Sequence, residues 1–277
     1  VRIYINPGHG SFTSTDRPMS TIKHGNNHPE AVSSDTASYF ESNTNLQTGF
    51  GLLEKLNEWG VPFDRTKNQN NSNAARKGAA LDMSQNIVMS HVKCGGTDGG
   101  NYNRNLTTIA AEVEANNFDM FISIHSNAGP DGSDGSFANY LVLIYRGTTG
   151  SPTIKNSDKM AKASAARLYD IFYTTPKNKN GGGGPEPTTY YSPSNPRIVG
   201  DYSFYGYHLG VLGTNNCPGF LSEGYFHTYS PARHRALNPD WCREEGIRYY
   251  RGIMDYYGKA KENVGYILGY VRSKTEK

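Results

Sequence analysis

The sequence predicts a three-layer α/β/α single domain built on a mixed, largely parallel sheet. Two apolar runs carry most of that expectation. Ile3-Tyr4-Ile5 and Met120-Phe121-Ile122-Ser123-Ile124 are rich in β-branched and aromatic residues and stop at Pro7-Gly8 and at Asn127-Ala128-Gly129. Such runs read as buried strands whose carboxyl ends open into loops. The third observation is the alternation of strand-like runs with helical periodicity, which favours parallel pairing with helices on the sheet faces.

The elements follow in order. The opening strand covers residues 2–6. Ser11 to Ser38 is a polar stretch rich in Ser, Thr, Asn, His and Asp, longer than an ordinary connection and therefore a functional loop or an insertion. From Glu41 the spacing changes. Leu46, Phe50, Leu53, Leu56 and Trp59 recur every three or four residues and stop at Gly60, which is an amphipathic helix with a glycine stop. Val61-Pro62-Phe63-Asp64 reads as a short strand after it.

Residues 67–80 are Asn-rich, and Gly95 to Gly100 form a turn cluster. Leu106, Ile109, Ala110 and Val113 trace a second helix ending near Asn116-Asn117, which leads directly into the strand before His125. Residues 138–145 give the next strand, and Ser157 to Phe172 a helix with Met160, Ala163, Leu168 and Ile171 inward. Asn178 to Gly200, with four successive glycines and several prolines, reads as a surface loop or flap. The last unit runs from the strand Phe220-Leu221-Ser222-Glu223 to a helix over about residues 244–257.

The chain of 277 residues is long enough to bury a sizeable core. We expect one domain over 1–260, with 261–277 a linker or the start of a further domain. A net charge of +3 is too weak and too evenly spread to argue for nucleic acid. Mean hydropathy is −0.66, and no run reaches the roughly 18 apolar residues of a membrane span. Twenty tyrosines argue against disorder. Cys94, Cys217 and Cys242 form no Cys-x-x-Cys pair, so a zinc knuckle is not expected. Val1 enters the first strand almost at once, as in a mature or trimmed chain, which leaves room for a removed export signal.

His9 and His125 each end an apolar run, at the sheet edge where α/β proteins bind ligands. Imidazole is a common metal ligand and suits zinc. The glycines flanking His9 let the backbone turn tightly beside the ring. Either histidine alone is as readily a hydrogen-bonded structural residue; two in the same context point to a metal site.

Gly8-His9-Gly10, Glu41-Ser42-Asn43-Thr44-Asn45-Leu46, Ser123-Ile124-His125-Ser126-Asn127-Ala128 and Phe220-Leu221-Ser222-Glu223-Gly224-Tyr225-Phe226 stand in this order along the chain. In that order they resemble the zinc-dependent N-acetylmuramoyl-L-alanine amidases of the third amidase type. The resemblance spans residues 2 to about 257. It implies a Zn²⁺ held by His9, Glu41 and His125, with Glu223 as general base and proton carrier. It also implies peptidoglycan as substrate and an exported protein of the periplasm, the cell envelope or the secreted fraction. Asn127 is a candidate donor to the substrate.

The chain departs from the pattern after Gly10, where Ser11-Phe12-Thr13 and the polar excursion replace a further glycine and an acidic residue. Residues 67–103 and 174–216 also look like additions. Alternative readings stay open at each position. Glu41 also reads as a plain helix-start carboxylate favoured by the helix dipole, and Glu223 as the salt-bridge partner of Arg233 or Arg235. His24, His28, Glu30 and Asp35 are rival ligands on a backbone that nothing fixes, and Arg65 reads as structural. Tyr190, Tyr191, Tyr202, Phe204, Tyr205 and Tyr207 either line a sugar groove or, as we favour, pack their loop. A zinc hydrolase of another amide and a non-catalytic wall-binding module are the rival functions.

Overall fold

The computed structural model describes residues 1–9, 39, 41–57, 83, 86–90, 106–128, 141–147, 157–173, 197–213 and 216–259. The strands are β1 (Ile3–Pro7), β2 (Ile87–Met89), β3 (Met120–Asn127), β4 (Val142–Tyr145), β5 (Arg197–Gly200) and β6 (Gly219–Phe226). The helices are α1 (Glu41–Asn57), α2 (Leu106–Ala115), α3 (Ser157–Tyr173), α4 (Asp201–Tyr205), α5 (Ser230–Ala236) and α6 (Pro239–Tyr256).

The sheet has six strands in the order β2-β1-β3-β6-β4-β5. β2, β1, β3 and β6 run parallel, β4 pairs antiparallel to β6, and β5 pairs parallel to β4. This is the expected mixed, largely parallel sheet. Because the parallel strands are covered on both faces, they are almost wholly apolar: β1 is buried at every position and β3 from Met120 to Ile124.

Alternation along the strands divides the core in two. Ile3, Ile5, Ile122, Ile124 and Phe220 face a layer made by Leu46, Leu52 and Leu53 of α1, Met160 and Leu168 of α3, and Tyr249, Tyr250 and Ile253 of α6. Tyr4, Phe121, Val142, Ile144 and Leu221 face Ile109 and Val113 of α2, together with Val211 and Leu212 of a short 3₁₀ turn. Helices therefore cover both faces. Among the described residues, no helix is long and apolar enough to cross a membrane.

Two glycines bring α1 and α6 into close approach. A Cβ added at Gly51 would lie 2.8 Å from Arg243 Cα, and one added at Gly246 would lie 2.6 Å from Thr48 O. The helices thus meet backbone to backbone. Glu245 is buried in the same seam, where Thr48 Oγ1 donates to its Oε2 at 3.0 Å.

The structure differs from the sequence reading in several places. Residues 197–200, inside the expected loop 178–200, form the edge strand β5, and Asp201 starts a short helix. Four residues beside a Gly- and Pro-rich segment are too few to show periodicity, and their pairing with β4 supplies the stabilisation. The strand β2 is likewise only three residues long. The last helix begins at Pro239, with Asn238 Oδ1 accepting the Asp240 N–H at 2.9 Å, rather than near residue 244. Ala163 is only half-buried, while Met160 and Leu168 are fully inward. The expected strand 61–64, Arg65, the rival ligands His24, His28, Glu30 and Asp35, Tyr190, Tyr191, Cys94 and the tail 261–277 lie outside the described residues. Cys217 and Cys242 are buried, free thiols.

Candidate metal centre

The three ligands expected from sequence converge at the carboxyl edge of β1 and β3. His9 stands two residues past the end of β1, and its φ of 59° is a left-handed conformation uncommon for a residue with a side chain. The preceding Gly8 donates its N–H to Ile124 O at 2.8 Å, tying the turn to β3. A Cβ at Gly8 would fall on the ring atoms of His125. Gly8 is therefore the space in which that imidazole sits. The two rings are 5.2 Å apart at 73°.

Glu41 begins α1 and is buried. Its Oε2 is 3.2 Å from His9 Nε2 and its Oε1 is 3.4 Å from His125 Nδ1. The ligand atoms of His9, Glu41 and His125 all lie within 4.8 Å of one another. Donors of a tetrahedral zinc shell with bonds of ~2.1 Å sit roughly 3.4 Å apart, close to the 3.2 Å between His9 Nε2 and Glu41 Oε2. His125 Nε2 is buried and has no hydrogen-bond partner among the described residues, a cost that a bound cation or its ligand water would remove.

Electrostatics select the ligating forms. Burial pushes the His125 ring below its ordinary range against the pull of Glu41, which keeps the imidazole neutral. Burial pushes the Glu41 carboxyl up, but the bond to His125 and the neighbouring His9 and His227 rings outweigh it and hold it below the ordinary carboxylate range. A neutral imidazole and an ionised carboxylate are what a metal requires.

Glu223 reaches the same edge from β6. It stands in register with His125 on one side and with Val142 on the other, and residues in register on neighbouring strands share a face of the sheet. Asn127 ends β3, and its Oδ1 accepts the Ala128 N–H at 2.8 Å, which fixes the amide plane. By contrast, Tyr202, Phe204, Tyr205 and Tyr207 follow β5. Since β5 runs opposite to β6, they lie at the far end of the sheet from His125.

Sequence reasoning missed the groups behind Glu41. Its Oε1 accepts the Ser126 backbone N–H at 2.9 Å. Ser126 Oγ bonds both Tyr39 OH at 2.8 Å and His227 Nδ1 at 3.0 Å. Tyr39 OH continues to Tyr225 OH at 3.0 Å, and Thr44 Oγ1 accepts from Tyr225 OH at 2.9 Å. Burial, followed by the charge of Glu41, raises the Tyr39 phenol, so it remains a hydroxyl. Ser126 belongs to a recognised motif, but no local pattern links it to a histidine 101 residues away.

Fold and site together define an α/β/α domain with a His-Glu-His cluster at the carboxyl edge of its parallel strands. No protein-family model matches the sequence, and no curated protein matches it significantly. Solved structures match along nearly the whole chain. An N-acetylmuramoyl-L-alanine amidase from Clostridium difficile 630 is 18% identical, with 93% of this chain and 96% of that one covered at a TM-score of 0.53. The amidase AmiC2 of Nostoc punctiforme is 14% identical over 94% and 98% at 0.54. Ami1 from Mycobacterium smegmatis is 16% identical over 93% and 97% at 0.54. The chain therefore has the fold of these amidase structures.

Proposed function

We propose that this protein is a peptidoglycan hydrolase that cleaves the amide between N-acetylmuramic acid and the first L-alanine of the stem peptide, at a zinc centre held by His9, Glu41 and His125. The observation that carries this reading is the convergence of those three ligand atoms within 4.8 Å at the sheet edge, on a fold shared with solved N-acetylmuramoyl-L-alanine amidases. When bound, zinc supplies Lewis-acid chemistry, polarising the scissile carbonyl and making water nucleophilic near neutral pH.

The chain's own residues supply the rest. Glu223, in register with His125, takes a proton from the attacking water as the C–O bond forms. It returns a proton to the alanine nitrogen as the C–N bond breaks, so that a carboxylate and an amine leave. With Asn127 Oδ1 held by Ala128, its amide nitrogen is the group that donates to the oxygen gathering negative charge. An exported protein of the cell envelope follows from that substrate.

Digesting purified peptidoglycan and identifying the new ends tests the proposal. New L-alanine amino termini with intact muramic acid are expected. Ends at any other bond point to a different amide hydrolase. A protein that takes up no zinc and leaves the polymer uncut sinks the hydrolase reading in favour of a wall-binding module.

A further inference from the structure

Behind the Glu41 carboxylate the structure places a third histidine, which the hydrolytic scheme does not use. His227 is buried, its ring stacks on Tyr39 at 5.7 Å and 24°, and its Nδ1 lies 3.0 Å from Ser126 Oγ and 4.0 Å from Glu41 Oε2. Both ends of this residue's backbone are pinned. Its N–H donates to Asn127 O at 2.8 Å, and its carbonyl accepts from Nη1 of the fully buried Arg233 at 2.7 Å. The β3–β6 register shifts here: His125 pairs with Glu223 but Asn127 pairs with Phe226, so β6 carries one extra residue. Bulges of this kind re-aim side chains next to functional sites.

We propose that His227 is a positioning residue for the metal centre, acting through Ser126 to fix the Glu41 carboxylate in its ligating orientation. This rests on the zinc reading above. Filling a buried space needs only an apolar side chain, whereas an imidazole brings polar atoms that must be satisfied. Here one of them is spent on the residue whose backbone N–H holds Glu41 Oε1. A Ser126 hydroxyl that accepts from Tyr39 keeps its own proton for His227 Nδ1. The chain Tyr39–Ser126–His227 then locks the β3 peptide against the carboxylate. Partners of this kind hold a ligand at one angle, and losing them typically lowers metal affinity by roughly 10- to 100-fold.

Zinc affinity of the whole chain, measured by chelator competition, tests this alongside the visible spectrum of the cobalt-substituted protein and the melting temperature of the metal-free one. His227→Leu is expected to weaken zinc binding by roughly 10- to 100-fold and to change the cobalt spectrum. His227→Asn keeps a polar atom near the Nδ1 position and is expected to retain affinity within a few-fold. Ser126→Ala removes this bond and the one to Tyr39 without touching the ring; its loss should be at least that of His227→Leu, and the double variant should lose no more than Ser126→Ala alone. If His227→Leu does not fold, Ser126→Ala and His227→Asn decide the matter.

Wild-type affinity and spectrum in His227→Leu or Ser126→Ala overturn the proposal. So does equal weakening in Leu and Asn variants that tracks a lower metal-free melting temperature. A wild-type protein that binds no zinc instead overturns the metal centre itself.

Discussion

Gly8 lies so close against the imidazole of His125 that no side chain can stand between them. One strand end thereby leaves a vacant position in which the imidazole of the neighbouring strand rests. The arrangement depends on residue 8 having no Cβ. Gly8→Ala is expected to destabilise the metal-free fold by roughly 1–3 kcal/mol, as overpacking does, and to lower zinc affinity by displacing the ring. Urea unfolding and zinc titration of the same variant measure the two effects. Unchanged zinc affinity would show that the ring is not held by this contact.

Glu223 is paired in register with His125 but does not belong to the His9–Glu41–His125 cluster. Its role is separable from metal binding for that reason. Glu223→Gln is expected to keep one zinc per chain while turnover of peptidoglycan falls by roughly 10²- to 10⁴-fold, the usual contribution of a positioned acid–base group. Wild-type turnover would remove Glu223 from the proton transfers.

Zinc that binds the folded chain and not the unfolded one must stabilise it. At a free concentration a hundred times the dissociation constant the gain is about 2.7 kcal/mol. Adding zinc should raise the melting temperature, chelation should reverse the rise, and His125→Ala should abolish it. A rise that survives in His125→Ala would place the ion elsewhere.

Glu245 gives the fold a pH dependence of its own. Burial in the α1–α6 seam pushes its carboxyl up to about 8 against the opposing bond from Thr48, and its Oε1 has no partner among the described residues. The unfolded chain releases this proton near 4.5, so between those values the folded state holds a proton that the unfolded state has lost. Stability from this group is complete below pH 4.5 and is lost as pH rises toward 8, at up to ~1.4 kcal/mol per pH unit. Glu245→Gln should flatten the slope and be the more stable form at pH 8. Denaturant midpoints across pH 5–9 check this; parallel curves for the two proteins would show that Glu245 ionises normally.

What the sequence made legible was local and periodic. His9 and His125 stand at the ends of strands long and apolar enough to be seen, and Glu41 opens a helix whose Leu46 and Leu53 are spaced as a buried stripe. The strands β2 and β5 escaped because three or four residues carry no period, and pairing with a neighbour gives them their form. His227 escaped for a different reason. It stands just past the motif that ends at Phe226, and its partners Tyr39 and Ser126 meet it only once β3 and β6 are side by side.

The contact of Gly51 with α6 has a consequence for how this centre could be retuned. Glu41 and Gly51 are ten residues apart on one helix, about 15 Å at 1.5 Å per residue. With backbone against backbone at Gly51, α1 has no slack toward α6 there, and the Glu41 carboxylate stands about three turns away on the same helix. A methyl group added at Gly51 or Gly246 has no room unless the two helices part, so a substitution far from the histidines is expected to shift Glu41 relative to them.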